Sequence, residues 1–371
     1  MWLQLFSSLL KKRPNLIKIV HKVRVKSVAD TFSIAGNEIG LGRRVQLELP
    51  VAKLYTDSQM SVSVDVIRAK KPGPTLFVSA AIHGDELNGI EIIRRLLISK
   101  SLKLSRGTLI AVPIVNVYGM LNQSRYMPDR RDLNRCFPGS AKGSLAGRLA
   151  HLFLTEVASK CDYGIDLHTG AINRGNLPQI RANLKDEETL SLAHAFGVPV
   201  LLNSDLRDGS LRQSASENGT KILLYEAGEA LRFDELSIRV GLRGIFNVMS
   251  QLGMVRRRTS SKKKTLPFVA NNSAWVRATA SGMVLDKKQL GDHVEKGDAL
   301  AQICSPTGSF IEILTAPKAG IIIGKQNIPL VQEGDAMFHV ANFEAPDEVA
   351  TNIDMMNDDM AKKLEEISLE D

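Results

Sequence analysis

The sequence predicts an α/β fold: a mixed, mainly parallel sheet sandwiched by helices, followed by a C-terminal all-β unit. Two observations lead there. Between residues 75 and 229, unbroken apolar runs such as TLFVSAAI (75–82) alternate with segments of helical periodicity, as expected of strands buried on both faces with helices between them. After residue 270 the pattern changes to short alternating stretches with regularly spaced glycines. At 371 residues the chain is longer than a single core usually organises. It divides into an N-terminal extension (1–44), a main domain (45–255), a basic linker (256–270), a β unit (271–342) and an acidic tail (343–371).

In chain order, VQLELPVAKL (45–54) and SVSVDVIRA (61–69) alternate as half-buried strands, and KKPGP (70–74) supplies a turn. TLFVSAAI is a fully buried strand. ELNGIEIIRRLLIS (86–99) is a helix with Ile90, Ile93, Leu96 and Leu97 on one face. Then come a strand in GTLIAVPIVN (107–116), a helix in SLAGRLAHLFLTEVASK (144–160), a strand in YGIDLH (163–168), a helix in ETLSLAHAFG (188–197) and a strand in TKILLYEAGE (220–229). Sheets of this kind place their sites in loops beyond the carboxyl ends of strands.

In the β unit, ASGMVLDKKQLGDHVEKGDALAQI (280–303) and APKAGIIIGKQNIPLVQEGDAMFHV (316–340) carry Gly-Asp turns at 297–298 and 334–335, the mark of an internal repeat. The unit resembles the flattened barrel of biotinyl and lipoyl carrier domains. Those carriers present a modifiable lysine on the central hairpin. Here no lysine lies between Lys296 and Lys318, so a swinging arm is not expected. In the acidic tail, Ile353, Met356, Met360, Leu364 and Ile367 are spaced as on a helix, and the segment reads either as a short amphipathic helix or as a disordered acidic tail.

The net charge of +8 is uneven: the last 28 residues hold ten Asp and Glu against two Lys. The basic excess sits in the first 30 residues and in RRRTSSKKK (256–264). Aromatic content is only 5%, whereas nucleic-acid surfaces interleave basic and aromatic groups, so solvated arms are expected and no nucleic-acid partner. No stretch reaches the roughly 18 apolar residues of a membrane span. The opening MWLQLFSSLL lacks a basic segment before it and reads as an amphipathic or frayed end rather than a leader. Three cysteines without CxxC spacing point to a reducing, cytoplasmic setting.

Functional residues cluster after strand ends. In AAIHGDELNG (81–90), His83 and Glu86 lie three apart where a strand gives way to a helix, so their side chains can converge on one point. Catalytic zinc commonly takes two His, one Glu and a water. His168 ends the YGIDLH strand and is the candidate third ligand. Glu226 ends the next apolar strand, where partial desolvation strengthens a carboxylate as a proton acceptor. SRYMPDRRDLNRCFPG (124–139) packs four arginines into one loop, a density that calls for an anion. Glu229 and Asp85 are expected to be peripheral.

HGDE, DLNR with FPG, DLHTG and YEAGE, in this order, resemble the succinylglutamate desuccinylase and aspartoacylase family of the zinc carboxypeptidase superfamily, over roughly residues 45–255. The resemblance implies a zinc carboxypeptidase-like fold and one Zn2+ per subunit on His83, Glu86 and His168. It implies Glu226 as general base, Asn134 and Arg135 as the pair holding a substrate carboxylate, and Asp132 as the residue orienting His83. It further implies an arginine that polarises the scissile carbonyl. Arg125 is the choice, with Arg130 and Arg131 as competitors. The implied activity is a zinc-dependent deacylase that cleaves the amide of an N-acyl amino acid or related small acidic amide. A metallocarboxypeptidase or an esterase would use the same centre. The expected partner is a small acidic substrate, with no membrane; a homo-oligomer is compatible with the sequence.

Overall fold

A computed structural model describes residues 31–204, 207–256, 267–270, 272–343, 351 and 353–355. The apolar N-terminal opening, all but Arg256 of the RRRTSSKKK run, and most of the acidic tail, including everything beyond residue 355, lie outside the described residues. One short hairpin, β1 (Thr31–Ile34) with β2 (Asn37–Gly40), precedes the long antiparallel pair β3 (Arg44–Lys53) and β4 (Gln59–Arg68). There follow β5 (Thr75–Ala80), α1 (Asn88–Ile98), β6 (Thr108–Val112), α2 (Val117–Leu121), α3 (Leu145–Glu156), β7 (Tyr163–Gly170) and β8 (Arg174–Ala182). Next come α4 (Glu187–Phe196), β9 (Val200–Asn203), α5 (Leu211–Glu217), β10 (Lys221–Glu229) and α6 (Glu235–Gln251). The C-terminal strands are β11 (Phe268–Ala270), β12 (Asn272–Arg277), β13 (Gly282–Asp286), β14 (His293–Val294), β15 (Ala299–Cys304), β16 (Phe310–Thr315), β17 (Gly320–Gln326), β18 (Leu330–Val331) and β19 (Ala336–Asn342).

Each apolar run of the main domain becomes a strand because its side chains are needed on both sides. From β5, Leu76, Val78 and Ala80 pack under α1, α4 and α6, while Phe77 packs against Phe153 of α3 on the opposite face, edge to face at 6.0 Å. Capping starts the helices. The side chains of Ser144, Asp186, Ser210 and Asp234 each accept the backbone N–H three residues on, opening α3, α4, α5 and α6.

The sheet is mixed, and less parallel than its apolar runs suggest. Strands β6, β5, β7 and β10 run parallel at its centre. On one side β4 joins β6 antiparallel; on the other β8 joins β10 antiparallel. Strand β8 is not among the elements read from the sequence, since RGNLPQIRA mixes polar residues with a proline. Helix α6 was also unread. Gly241 and Gly244 lower its propensity, but a Cβ at Gly244 would lie 2.1 Å from Cε1 of Phe196, so close packing requires glycine there.

The sheet does not end with the main domain. Strand β17 pairs with β8, setting Gly324 opposite Asn176, and β19, β12 and β14 extend the same sheet. A second layer of order β16-β15-β13-β18 closes over a core that includes Val284, Leu300, Ile303, Leu314, Ile322 and Phe338. The matching Gly-Asp turns share one hydrogen-bond pattern: Asp298 accepts from the Glu295 N–H and Asp335 from the Gln332 N–H. A third such turn, at Gly291-Asp292, joins Asp292 to the Gln289 N–H. No described helix is long and apolar enough to cross a membrane.

Candidate metal centre

The end of β5 builds half the site. Ala81 has φ +50, a conformation uncommon for a residue with a side chain, and it turns the chain sharply off the sheet. A turn closed by Glu86 N–H to His83 C=O then brings both side chains to one side. Gly84 is required within it: a Cβ there would lie 1.9 Å from the Gly119 carbonyl carbon. Strand β7, parallel and adjacent to β5, delivers His168 to the same place.

The three donors meet. Glu86 Oε1 lies 2.7 Å from His83 Nδ1, and Oε2 lies 2.8 Å from His168 Nδ1. Candidate ligand atoms of His83, Glu86 and His168 all fall within 4.8 Å of one another, and the three residues are buried. The Thr169 N–H also donates to Glu86 Oε2, at 3.2 Å.

Each imidazole uses its far nitrogen on a carboxylate. His83 Nε2 is 3.2 Å from Asp132 Oδ1, and His168 Nε2 is 2.8 Å from Asp166 Oδ2. Such a carboxylate fixes ring orientation and tautomer and makes the near nitrogen a better ligand. Burial opposes ionisation of Glu86, yet the flanking His83 and His168 hold its carboxyl well below the usual carboxylate range. Burial likewise opposes charge on His168, and Asp166 and Glu86 outweigh it, raising its basicity well above an ordinary imidazole's. The Glu86, Asp132 and Asp166 carboxylates that contact the two imidazoles outnumber the one guanidinium, Arg125, that contacts them, and a divalent cation bound there would displace any proton from the ring nitrogens facing it. Donor set, geometry and charge fit a metal ion.

Glu226 stands beside His168 in register on the neighbouring strand β10, with 17% of its side chain exposed. Asn176 Nδ2 donates to its Oε2 at 2.6 Å, which leaves Oε1 for other chemistry. Arg125 Nη2 donates to Asp132 Oδ2 at 2.9 Å, and Nη1 lies 3.3 Å from His83 Nδ1. Its competitors Arg130 and Arg131 are exposed and line no part of the cavity. Asn134 Oδ1 accepts from the Leu211 N–H, while its Nδ2 makes no hydrogen bond among the described residues. Arg135 is exposed beside it. His83, Glu86, Arg125, Asn134, Arg135, His168 and Glu226 thus line a single cavity of about 200 Å³. Asp132 backs it through His83, and Asp85 and Glu229 lie outside its lining.

Residues 72–252 match the succinylglutamate desuccinylase/aspartoacylase catalytic domain. This segment is a catalytic domain of that family. A relative of this chain, the N-α-acetyl-L-2,4-diaminobutyric acid deacetylase of Halomonas elongata, is 26% identical over 308 residues, covering 80% of this chain and 90% of the relative. The fold of this chain is similar to that of the ectoine utilisation protein EutE (DoeB) of Ruegeria pomeroyi, with a TM-score of 0.73, 24% identity, and coverage of 85% of this chain and 99% of that one. A succinylglutamate desuccinylase/aspartoacylase from Rhodobacter sphaeroides gives the same TM-score and identity, covering 84% and 99%.

Sequence reasoning missed several groups of this family site. Asp166 carried a legible signal, since residues two apart on a strand share a face and Asp166 precedes His168 by two. Asn176, Arg174 and Arg181 of the unread β8, and Trp275 of β12, had no local signal.

Proposed function

We propose that this protein is a zinc-dependent deacylase hydrolysing the amide bond of an N-acyl amino acid or related small acidic amide. The observation that carries the reading is the His83, Glu86 and His168 donor cluster with a half-buried carboxylate, Glu226, in register beside it. Zinc bound by those three side chains would supply Lewis acidity, acidifying water toward a pKa of ~7 and polarising the scissile carbonyl.

The protein's own groups do the rest. Glu226 takes the proton from the attacking water through Oε1, since Asn176 occupies Oε2, and returns it to the leaving amine. Arg125 donates to the carbonyl oxygen as negative charge builds there, while Asp132 keeps its guanidinium aimed across the cavity. Asn134 Nδ2 and the Arg135 guanidinium hold the substrate carboxylate and so fix the amide over the centre. The three cysteines are free, in keeping with the cytoplasmic setting that belongs to this reading.

The test is amine release from a panel of N-acyl amino acids by the zinc-reconstituted protein, with peptides of free and blocked C-terminus and matched esters alongside. Turnover of N-acyl amino acids is expected. A requirement for a free peptide terminus would make it a carboxypeptidase, and turnover of esters alone an esterase. Glu226→Gln should retain zinc and lose nearly all turnover; wild-type-like activity would remove it as the base.

A further inference from the structure

Glu229 lies outside the cavity, but three segments meet on its carboxylate. Its side chain is 16% exposed. Oε1 accepts the Asn173 backbone N–H at 3.0 Å, and Oε2 accepts from Asn327 Nδ2 at 2.7 Å. The Asn327 backbone N–H in turn donates to the Asn173 carbonyl at 2.7 Å. Asn173, in the turn between β7 and β8, is thus held at both backbone polar groups, by the end of β10 and by the loop that follows β17. It has φ +59, a left-handed conformation that asparagine tolerates better than most residues. Arg232 is 4.0 Å from Glu229 and 70% exposed, so it adds little.

This pin governs the start of β8. Asn176 follows three residues later, about 10 Å along the strand, and its Nδ2 donates to Oε2 of Glu226 at 2.6 Å. On the other side of β8, β17 runs antiparallel and sets Gly324 opposite Asn176. A Cβ at Gly324 would lie 3.0 Å from Asn176 Oδ1 and 3.1 Å from the His339 Cβ, so glycine leaves the amide its place. Glu226 and Glu229 share β10 across a β-bulge, with Gly228 at φ +73. Bulges re-aim side chains, and this one lets a single strand present one carboxylate to the cavity and another to the pin.

We propose that Glu229 and Asn327 are positioning residues for Glu226, acting by pinning Asn173 so that Asn176, backed by Gly324, holds the base at its Oε2. The C-terminal β unit then contributes to proton transfer without touching the substrate. Glu229 serves as an acceptor of two hydrogen bonds, so geometry matters here more than its charge. The inference rests on the deacylase reading for the role of Glu226, and on the hydrogen bonds alone for the pin.

The test is steady-state kinetics of the zinc-loaded full chain, with zinc content and thermal melting measured alongside. Glu229→Ala should lower kcat by about 10–30-fold and the exposed Asn327→Ala by about 3–10-fold, with KM and zinc content within about 2-fold of wild type. Gly324→Ala, which presses on the amide from β17, should lower kcat by about 3–10-fold. Glu229→Gln keeps the acceptor for Asn173 and should return kcat to within about 3-fold of wild type. Combined with Asn176→Ala, both Glu229→Ala and Asn327→Ala should cost less than about 2-fold more, because the link they act through is gone. Full multiplication of the losses in the double variants overturns the proposal, as does a change confined to KM or wild-type kcat in both single variants. Hydrogen exchange reads the pin without turnover: the Asn173 and Asn327 amides should exchange about 10-fold faster in Glu229→Ala, and unchanged exchange overturns it. Failure of the deacylase reading shows separately, as absence of amine release by wild type from every N-acyl amino acid. The double variants are then compared on the peptide or ester that wild type turns over.

Discussion

Removing the carboxylates behind the two imidazoles should weaken metal binding unequally. Asp166 lies 2.8 Å from His168 Nε2 with 3% of its side chain exposed, and Ser79 Oγ donates to its other oxygen at 2.7 Å. Asp132 lies 3.2 Å from His83 Nε2, is 17% exposed, and divides its charge between His83 and Arg125. A charge-assisted hydrogen bond strengthens as it shortens and as water is excluded. Carboxylates in this position generally contribute ~10–100-fold to metal affinity. Asp166→Ala therefore belongs near the ~100-fold end and Asp132→Ala near ~10-fold. Asp166→Asn keeps an acceptor for the Nε2–H and loses only the charge, so it should fall between Asp166→Ala and wild type. Zinc competition against a chromophoric chelator at pH 7 measures all three, with thermal melting of the zinc-free proteins showing that each is folded. The reasoning is refuted if folded Asp166→Ala binds zinc within ~3-fold of wild type, or if Asp132→Ala is the weaker binder.

Three further outcomes follow from the same geometry. Arg125→Ala should lower kcat by about 10²-fold if its guanidinium donates to the developing oxyanion; steady-state kinetics showing a change in KM alone would reassign it to binding. Asn176→Ala frees Glu226 to rotate and should cost roughly 10–100-fold in kcat with zinc content unchanged, and unchanged kcat would remove Asn176 as the residue that positions the base. His339 has a folded pKa depressed to about 3, so the unfolded chain takes up a proton first as acidity rises. Its contribution to stability is fully present above pH ~6.5 and is lost as pH falls toward 3. His339→Phe keeps the ring against Trp275 and should spare ~3 kcal/mol of the stability lost between pH 7 and 4. Urea midpoints at the two pH values check this, and parallel losses in both proteins would count against it.

The chemistry of the ligands was written in short windows. His83 and Glu86 are three residues apart, a separation that one turn bridges, and the apolar runs before His83, His168 and Glu226 mark strand ends by burial alone. Local periodicity reports such things because it depends on neighbours a few residues away. Strand order does not. That Glu86 Oε2 reaches His168 Nδ1 across 82 residues of chain follows from β5 lying beside β7, which is set by packing summed over two layers of helices. The antiparallel β8, polar and proline-bearing, gave no periodic signal, yet it brings Asn176 to Glu226 and Arg181 to the wall of the cavity. Trp275 reaches the site only because β17 pairs with β8 and carries the C-terminal strands onto the catalytic sheet. Sequence by itself determined which side chains could hold a metal and at which strand ends. Tertiary structure alone decided which of them meet and what charge surrounds them, because those distances depend on pairings between segments that share no local window.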